Sequence, residues 1–190
     1  MTTILAVKKN DSVAIAADTL TMWGNMRQST NYIVNHEKIL KYQDNYLAFT
    51  GSPSFKLVVA HWLGRSKRKP NLDSVENIFD AWLNFHQQLK EIYFLRPEEE
   101  EDDAFETSRM NVLIINPKGI FGVGFARDVT EYTRFTAFGS GCDYANGAMH
   151  AVYNDKDKTA EDIAKIGIEV AAEFDDSTAL PLSCYTIKLK

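Results

Sequence analysis

Thr2 follows the initiating methionine, and a methionine before a small residue is readily trimmed. Removal of Met1 is the expectation, and it would leave Thr2 with a free α-amine. One residue would then carry both a nucleophile and a base. The hydroxyl can attack a carbonyl while the amine, with a reference pKa of about 7.7–8.0, takes its proton near neutral pH. Three more positions bear on such chemistry. Asp18 ends a nearly wholly apolar strand in Ala16-Ala17-Asp18-Thr19, where a carboxylate either caps the turn or must be paired or hydrogen-bonded. Lys38, in Glu37-Lys38-Ile39, stands just before a strand; lysines in such places commonly snorkel to water, and neighbouring Lys/Glu pairs are commonly surface decoration. Ser140 lies between Gly139 and Gly141, where glycines allow a tight strand-to-helix turn near the donors of a helix N-terminus. The same tripeptide is also an ordinary loop.

The elements that must position these residues follow from the pattern of apolar side chains. Thr3 to Lys8 and Ser12 to Ala17 alternate as strands, joined at Asn10-Asp11, a good hairpin turn. A polar loop follows. Ile39 to Tyr42 and Tyr46 to Thr50 form a second hairpin across Gln43-Asp44-Asn45. Gly51-Ser52-Pro53 opens a helix with Phe55, Val58, Val59, Trp62 and Leu63 on one side, and Pro53 suits its first turn. Asp73 or Ser74 caps a second helix whose stripe is Val75, Ile78, Phe79, Trp82, Phe85, Leu89, Ile92 and Tyr93. Strands return at Asn111 to Ile115, Ile120 to Phe125 and Tyr132 to Phe138. Helices run from about Tyr144 to Tyr153 and Thr159 to Glu173, and Ser183 to Leu189 closes the chain as a strand. Strands, two helices, strands, two helices, strand: this order predicts an α+β fold, a four-layer αββα sandwich of two antiparallel sheets flanked by helix pairs.

Composition narrows the class. The 190 residues are most simply one domain over 1–190, large enough for a substantial core. A net charge of −5 and a lone basic cluster, Arg65-Ser66-Lys67-Arg68-Lys69, argue against a nucleic-acid partner. No apolar run approaches a membrane span, and the strand-like start leaves no room for a signal peptide, so the expected location is the cytoplasm. Cys142 and Cys184 fit no metal-ligand spacing, and His36, His61, His86 and His150 do not cluster; no metal or other cofactor is expected. The acidic run Glu98 to Asp103 reads as a solvated loop, or as a lining of a ring interior or entrance.

Taken in order, the N-terminal Thr-Thr strand, the aspartate ending strand two, the lysine opening strand three and the Gly-Ser-Gly turn before a helix resemble the β-type proteasome subunits and their bacterial relatives, including the heat-shock-locus V peptidase. The resemblance covers essentially the whole chain. The spacing from Asp18 to Lys38 is slightly longer than the common pattern, and the segment from Lys67 through Asp103 is extended and acidic. Both features suit a divergent bacterial proteasome homologue.

The resemblance implies a threonine-type endopeptidase in which Thr2 attacks the peptide carbonyl. Lys38 lowers the proton affinity of the nucleophilic centre, and Asp18 orients Lys38. Ser140 bonds the N-terminal amine, and the Gly51 N–H serves the oxyanion. Thr21, Trp23 and Thr50 fall where the family lines its substrate pocket. The family's Asp-x-x-Ser buttress after the last long helix is altered here to Glu173-Phe174-Asp175-Asp176-Ser177-Thr178. Glu173 takes the aspartate's place on one reading; Asp175 and Ser177 serve with different spacing on another. The resemblance further implies stacked rings of six or seven subunits, unfolded polypeptide or peptide substrates, and an ATP-dependent unfoldase as partner. Two alternatives stay open: a catalytically weak or inactive ring-forming scaffold on the same fold, and an amidase or acylase of the same architecture.

Overall fold

The structure, a computed structural model, describes residues 2–96 and 104–190. Met1 and the acidic run Glu98 to Asp103 lie outside the described residues. The order of elements is β1 (Thr3–Lys9), β2 (Ser12–Asp18), β3 (Thr21–Trp23), β4 (Met26–Gln28), β5 (Ile39–Tyr42), β6 (Asn45–Phe49), α1 (Ser54–Arg65), α2 (Val75–Glu91), β7 (Val112–Asn116), β8 (Gly119–Val123), β9 (Val129–Tyr132), β10 (Phe135–Gly139), α3 (Cys142–Val152), α4 (Ala160–Phe174) and β11 (Leu182–Lys188).

Alternation within the strands sorts side chains into layers. One antiparallel sheet has the order β10-β1-β2-β11, the other β5-β6-β7-β8-β9. In β1 and β2, Ile4, Ala6, Val13, Ile15 and Ala17 face the second sheet and meet Ile39, Ala48, Leu113, Ile115 and Ile120. Their neighbours Leu5, Val7, Ala14 and Ala16 point the other way, onto Ala145 and Met149 of α3 and Ile163, Ala164, Ile168 and Ala171 of α4. The second sheet does the same: Leu47, Phe49, Val112, Ile114 and Phe121 turn outward onto the aromatic face of α1 and α2. There Trp62 stacks on Phe85 at 4.5 Å and meets Trp82 edge-on at 6.0 Å. The result is the four-layer αββα sandwich. It makes β1 a strand covered on both faces, with Ile4 to Val7 fully buried.

Helices α2 and α4 begin where side chains can serve their first N–H groups. Ser74 accepts from the Asn77 N–H at the start of α2, and Thr159 and Asp162 form a reciprocal capping box at α4. Three departures from the sequence reading have local causes. The polar loop after β2 contains a small hairpin, β3 paired with β4 around Gly24, which is left-handed at φ +58°. Its strands are three residues each, too short to show a period. The stretch read as one strand to Phe125 stops at Val123, because Gly124 to Asp128 turns back on itself: Arg127 N donates to Gly124 O and Gly124 N to Asp128 O. The extra strand β9 lies at the sheet edge and is largely exposed, so it carries no apolar alternation. Phe79 lies on the exposed side of α2 while Trp82 and Phe85 are buried.

Candidate active site

The start of β1 is held by its neighbours on both sides. Thr3 pairs with Gly139 of β10, and the next residue, Ser140, donates its N–H to the Thr2 carbonyl at 3.0 Å. Gly139 is left-handed at φ +103°, and a Cβ there would lie 1.7 Å from the Thr2 carbonyl oxygen. No other residue fits that place. Gly141 is excluded from change for a related reason, since its Cβ would approach Thr3 Oγ1 to 2.5 Å.

Asp18, at the end of β2, is fully buried and receives three donors. Thr3 N–H and Lys38 Nζ both reach Oδ1, at 3.0 and 2.7 Å, and Leu20 N–H reaches Oδ2 at 3.0 Å. Burial raises the carboxyl above its ordinary range, opposed by Lys38 and by the Thr3 and Leu20 N–H groups. Burial pushes the Lys38 ammonium below the usual lysine range, opposed by the Asp18 charge. Three donors on a carboxylate favour its ionised form, so Asp18 stays the anion of the pair and Lys38 is the group whose proton is loosened.

A second network lies on the other side of Thr3. Asp175 Oδ2 accepts from Ser140 Oγ at 2.7 Å and from Thr178 Oγ1 at 2.5 Å. Because Thr178 spends its only proton on Asp175, the 2.6 Å contact between Thr3 Oγ1 and Thr178 Oγ1 has Thr3 as donor. The Gly141 N–H then donates to Thr3 Oγ1 at 3.1 Å. Every hydroxyl in the chain Gly141, Thr3, Thr178, Asp175 points one way, which polarises and stiffens it.

Beside these networks opens a cleft of about 360 Å³. Thr2, Lys38 and Gly51 line it together with Thr21, Trp23 and the apolar side chains Leu20, Met22, Ile33, Phe49 and Leu57. Gly51 is left-handed at φ +98°. Lys56 also lines the cleft, and its ammonium donates to the Glu37 carbonyl.

The structure thus brings Thr2, Asp18, Lys38, Gly51 and Ser140 to one end of the sandwich, with Thr21 and Trp23 in the same cleft. Thr50 is a correction. It is buried and does not line the cleft; its Oγ1 accepts from the Asn111 N–H at 3.3 Å. The region after α4 is corrected as well. Glu173 is exposed at the end of the helix, and Ser177 Oγ donates to Asp176. The partner of Asp175 is Thr178, which the sequence reading missed although Asp175-x-x-Thr178 keeps the family's spacing with threonine for serine. Thr3, whose backbone N–H enters the Asp18 network and whose hydroxyl enters the Asp175 network, was missed too. Among the described residues, no three His, Cys, Asp or Glu side chains are placed to hold a metal ion, and no helix is long and apolar enough to cross a membrane.

No family model matches the chain. A solved structure, Thiobacillus denitrificans BPH, is 46% identical, with 99% of this chain and 98% of that chain covered and a TM-score of 0.94. The same protein in complex with epoxomicin matches with 45% identity, 99% of both chains and a TM-score of 0.94. The ATP-dependent protease subunit HslV of Caldicellulosiruptor saccharolyticus is 27% identical over 178 residues, 91% of this chain and 90% of that one. HslV from Trypanosoma brucei shares the fold at 18% identity, over 98% of this chain and 99% of that one, with a TM-score of 0.67. With its Thr-Thr strand, buried Asp18–Lys38 pair and αββα layers, the chain belongs to the proteasome-type N-terminal-nucleophile hydrolase family.

Proposed function

We propose that the chain, acting as one peptidase domain over 1–190, is a threonine-type endopeptidase subunit of a self-compartmentalising, proteasome-like ring complex. The observation that carries this reading is that Thr2 and Lys38 line one cleft while Lys38 is bound to a buried aspartate that also holds the Thr3 N–H. Once Met1 is removed, the Thr2 amine takes the hydroxyl proton as the oxygen attacks the substrate carbonyl. The Lys38 cation favours the developing alkoxide, and the Gly51 N–H stabilises the tetrahedral oxyanion. Collapse breaks the C–N bond, the proton passes to the leaving amine, and an ester on Thr2 remains. Water, deprotonated by the same amine, releases the acid and regenerates the hydroxyl. Ser140, fixed by Asp175, serves the N-terminal amine, and Thr21 and Trp23 with the apolar wall receive a substrate side chain.

The departure that favoured an inactive scaffold was the altered buttress, and Asp175 with Thr178 fills that place. The HslV relative is named as a subunit of an ATP-dependent protease, which supports assembly with further subunits and an ATP-dependent unfoldase that feeds polypeptide to the cleft; self-association into stacked rings and a cytoplasmic location belong to the same proposal. The complex of Thiobacillus denitrificans BPH with epoxomicin supplies a probe. Epoxomicin or a β-lactone should add its mass to the peptide that begins with Thr2, and Thr2→Ala should abolish both labelling and peptide cleavage. Wild-type protein that has lost Met1, assembles, and still neither labels nor cleaves in a Thr2-dependent way would overturn the reading.

A further inference from the structure

A second cluster of titratable and hydroxyl groups lies outside the cleft. His86, buried on α2, has Nδ1 2.9 Å from Ser108 Oγ and Nε2 3.1 Å from Glu106 Oε2. An ionised carboxylate only accepts, so Nε2 holds the ring proton and Nδ1 accepts from the serine hydroxyl. Arg127 Nη1 donates to the Glu106 carbonyl at 2.6 Å and lies 3.4 Å from Ser108 Oγ. The serine–histidine–acid order is that of a hydrolase triad. Ser108, however, is only 1% exposed, and no substrate carbonyl reaches its oxygen.

What the cluster does fix is backbone. Glu106 and Ser108 are pinned by His86 and Arg127, and the Ser108 N–H donates to Phe125 O at 2.7 Å. The chain then passes through Arg109, left-handed at φ +56°, a conformation that costs a non-glycine residue and must be enforced by its surroundings. Met110 is buried in the α1/α2 core. Next, Asn111 O accepts from Thr50 N–H at 3.0 Å and Asn111 N–H donates to Thr50 Oγ1 at 3.3 Å. Arg109 O presses on the neighbouring turn so closely that a Cβ on Gly51 would lie 2.8 Å from it.

We propose that His86 is a positioning residue for the Gly51 turn, acting through Ser108 and the enforced segment Ser108 to Asn111. The proposal rests on Gly51 as the oxyanion donor, and it has a readout of its own. In His86→Phe, a ring of similar size replaces both hydrogen bonds. Peptidase kcat should fall on the order of 10- to 100-fold with KM within about two-fold, the signature of a misplaced transition-state donor. Amide hydrogen exchange in peptides covering 49–52 and 108–112 should quicken on the order of 10-fold, while the peptide covering 3–9 is unchanged. His86→Gln, whose amide can donate to Glu106 and accept from Ser108, should restore both. Ser108→Ala should give the same local exchange change, which covers the case in which His86→Phe does not fold. Unchanged exchange at 49–52 in both variants, or a His86→Gln protein as impaired as His86→Phe, would overturn the clamp. If wild-type protein proves to have no peptidase activity, that removes the peptidase reading, and the exchange measurement still decides whether His86 holds the Gly51 turn.

Discussion

Of the places where the described residues set a basic side chain against a carboxylate, two differ sharply in what surrounds them. At Asp18–Lys38 the carboxylate is fully buried, the lysine is 14% exposed, and the pair borders a cleft that also contains Thr2. At His86–Glu106 the histidine is sealed and the carboxylate is 38% exposed, with Lys90 beside it at 2.5 Å. The first pair keeps its charge from water and turns it toward a space a substrate can enter. The second faces its carboxylate to solvent and its nitrogen to a serine that nothing can reach. Residue types that read alike as acid–base machinery are separated by access and by which partner pays the desolvation cost.

The largest expected contrast comes from removing the lysine beside each carboxylate. Lys38→Met leaves Asp18 buried with only two backbone donors, and breaking a buried pair in this way costs about 3–5 kcal/mol. Activity on a fluorogenic peptide should drop on the order of 10²–10³-fold, the range of a lost preorganised electrostatic partner. Lys90→Met removes a half-exposed partner of a solvent-facing carboxylate and should leave kcat/KM within about two-fold and the melting temperature unchanged. Equal losses in the two variants would erase the distinction between the sites.

Most of the architecture was legible because it rests on periodicity. β1, β2, β6 and β7 are covered on one or both faces, so their apolar alternation is strong, and α2 and α4 carry caps that sequence shows directly. The hairpin β3–β4 and the edge strand β9 were not legible, since short or exposed strands bury too little to leave a pattern. Asp18 and Lys38 were legible in order and spacing. Their hydrogen bond joins residues twenty positions apart and is decided by how β2 and β5 pack. Thr178 was hidden for a different reason: four hydroxyl or carboxyl residues in a row, Asp175 to Thr178, offer several registers, and only the end of α4 decides which hydroxyl reaches Asp175 and Thr3. Ser177 lost that competition and Thr50 lost a similar one, its hydroxyl drawn to the Asn111 N–H.

That choice of register gives a smaller, sharper test. Thr178→Val keeps volume but removes the hydroxyl that joins Thr3 to Asp175, leaving a buried donor on Thr3 unpaired. The expected cost is about 1–3 kcal/mol, and a protein of this size loses roughly 2–4 °C of melting temperature per kcal/mol. Peptidase activity should fall on the order of 10-fold as Ser140 and the N-terminus lose rigidity. Ser177→Ala, which removes a hydroxyl that donates to Asp176, should cost far less on both measures. A Ser177→Ala protein more impaired than Thr178→Val would return the buttress to Asp175 and Ser177.

The smallest effect concerns the pH response of the sealed pair. Burial holds His86 below the usual histidine range, with Glu106 opposing and the Arg127 and Lys90 cations adding to the depression. Between that lowered value and the ordinary one near 6.5, the unfolded chain binds a proton that the folded chain refuses. Stability therefore rises with pH through this window and is lost as pH falls below about 6.5. Melting temperatures measured from pH 5 to 7 should climb in wild-type protein, and His86→Gln, which does not titrate, should show a flatter climb. A His86→Gln curve parallel to wild type would mean that His86 takes up its proton in the folded state as readily as in the unfolded chain, and the sealed cluster would then be wet.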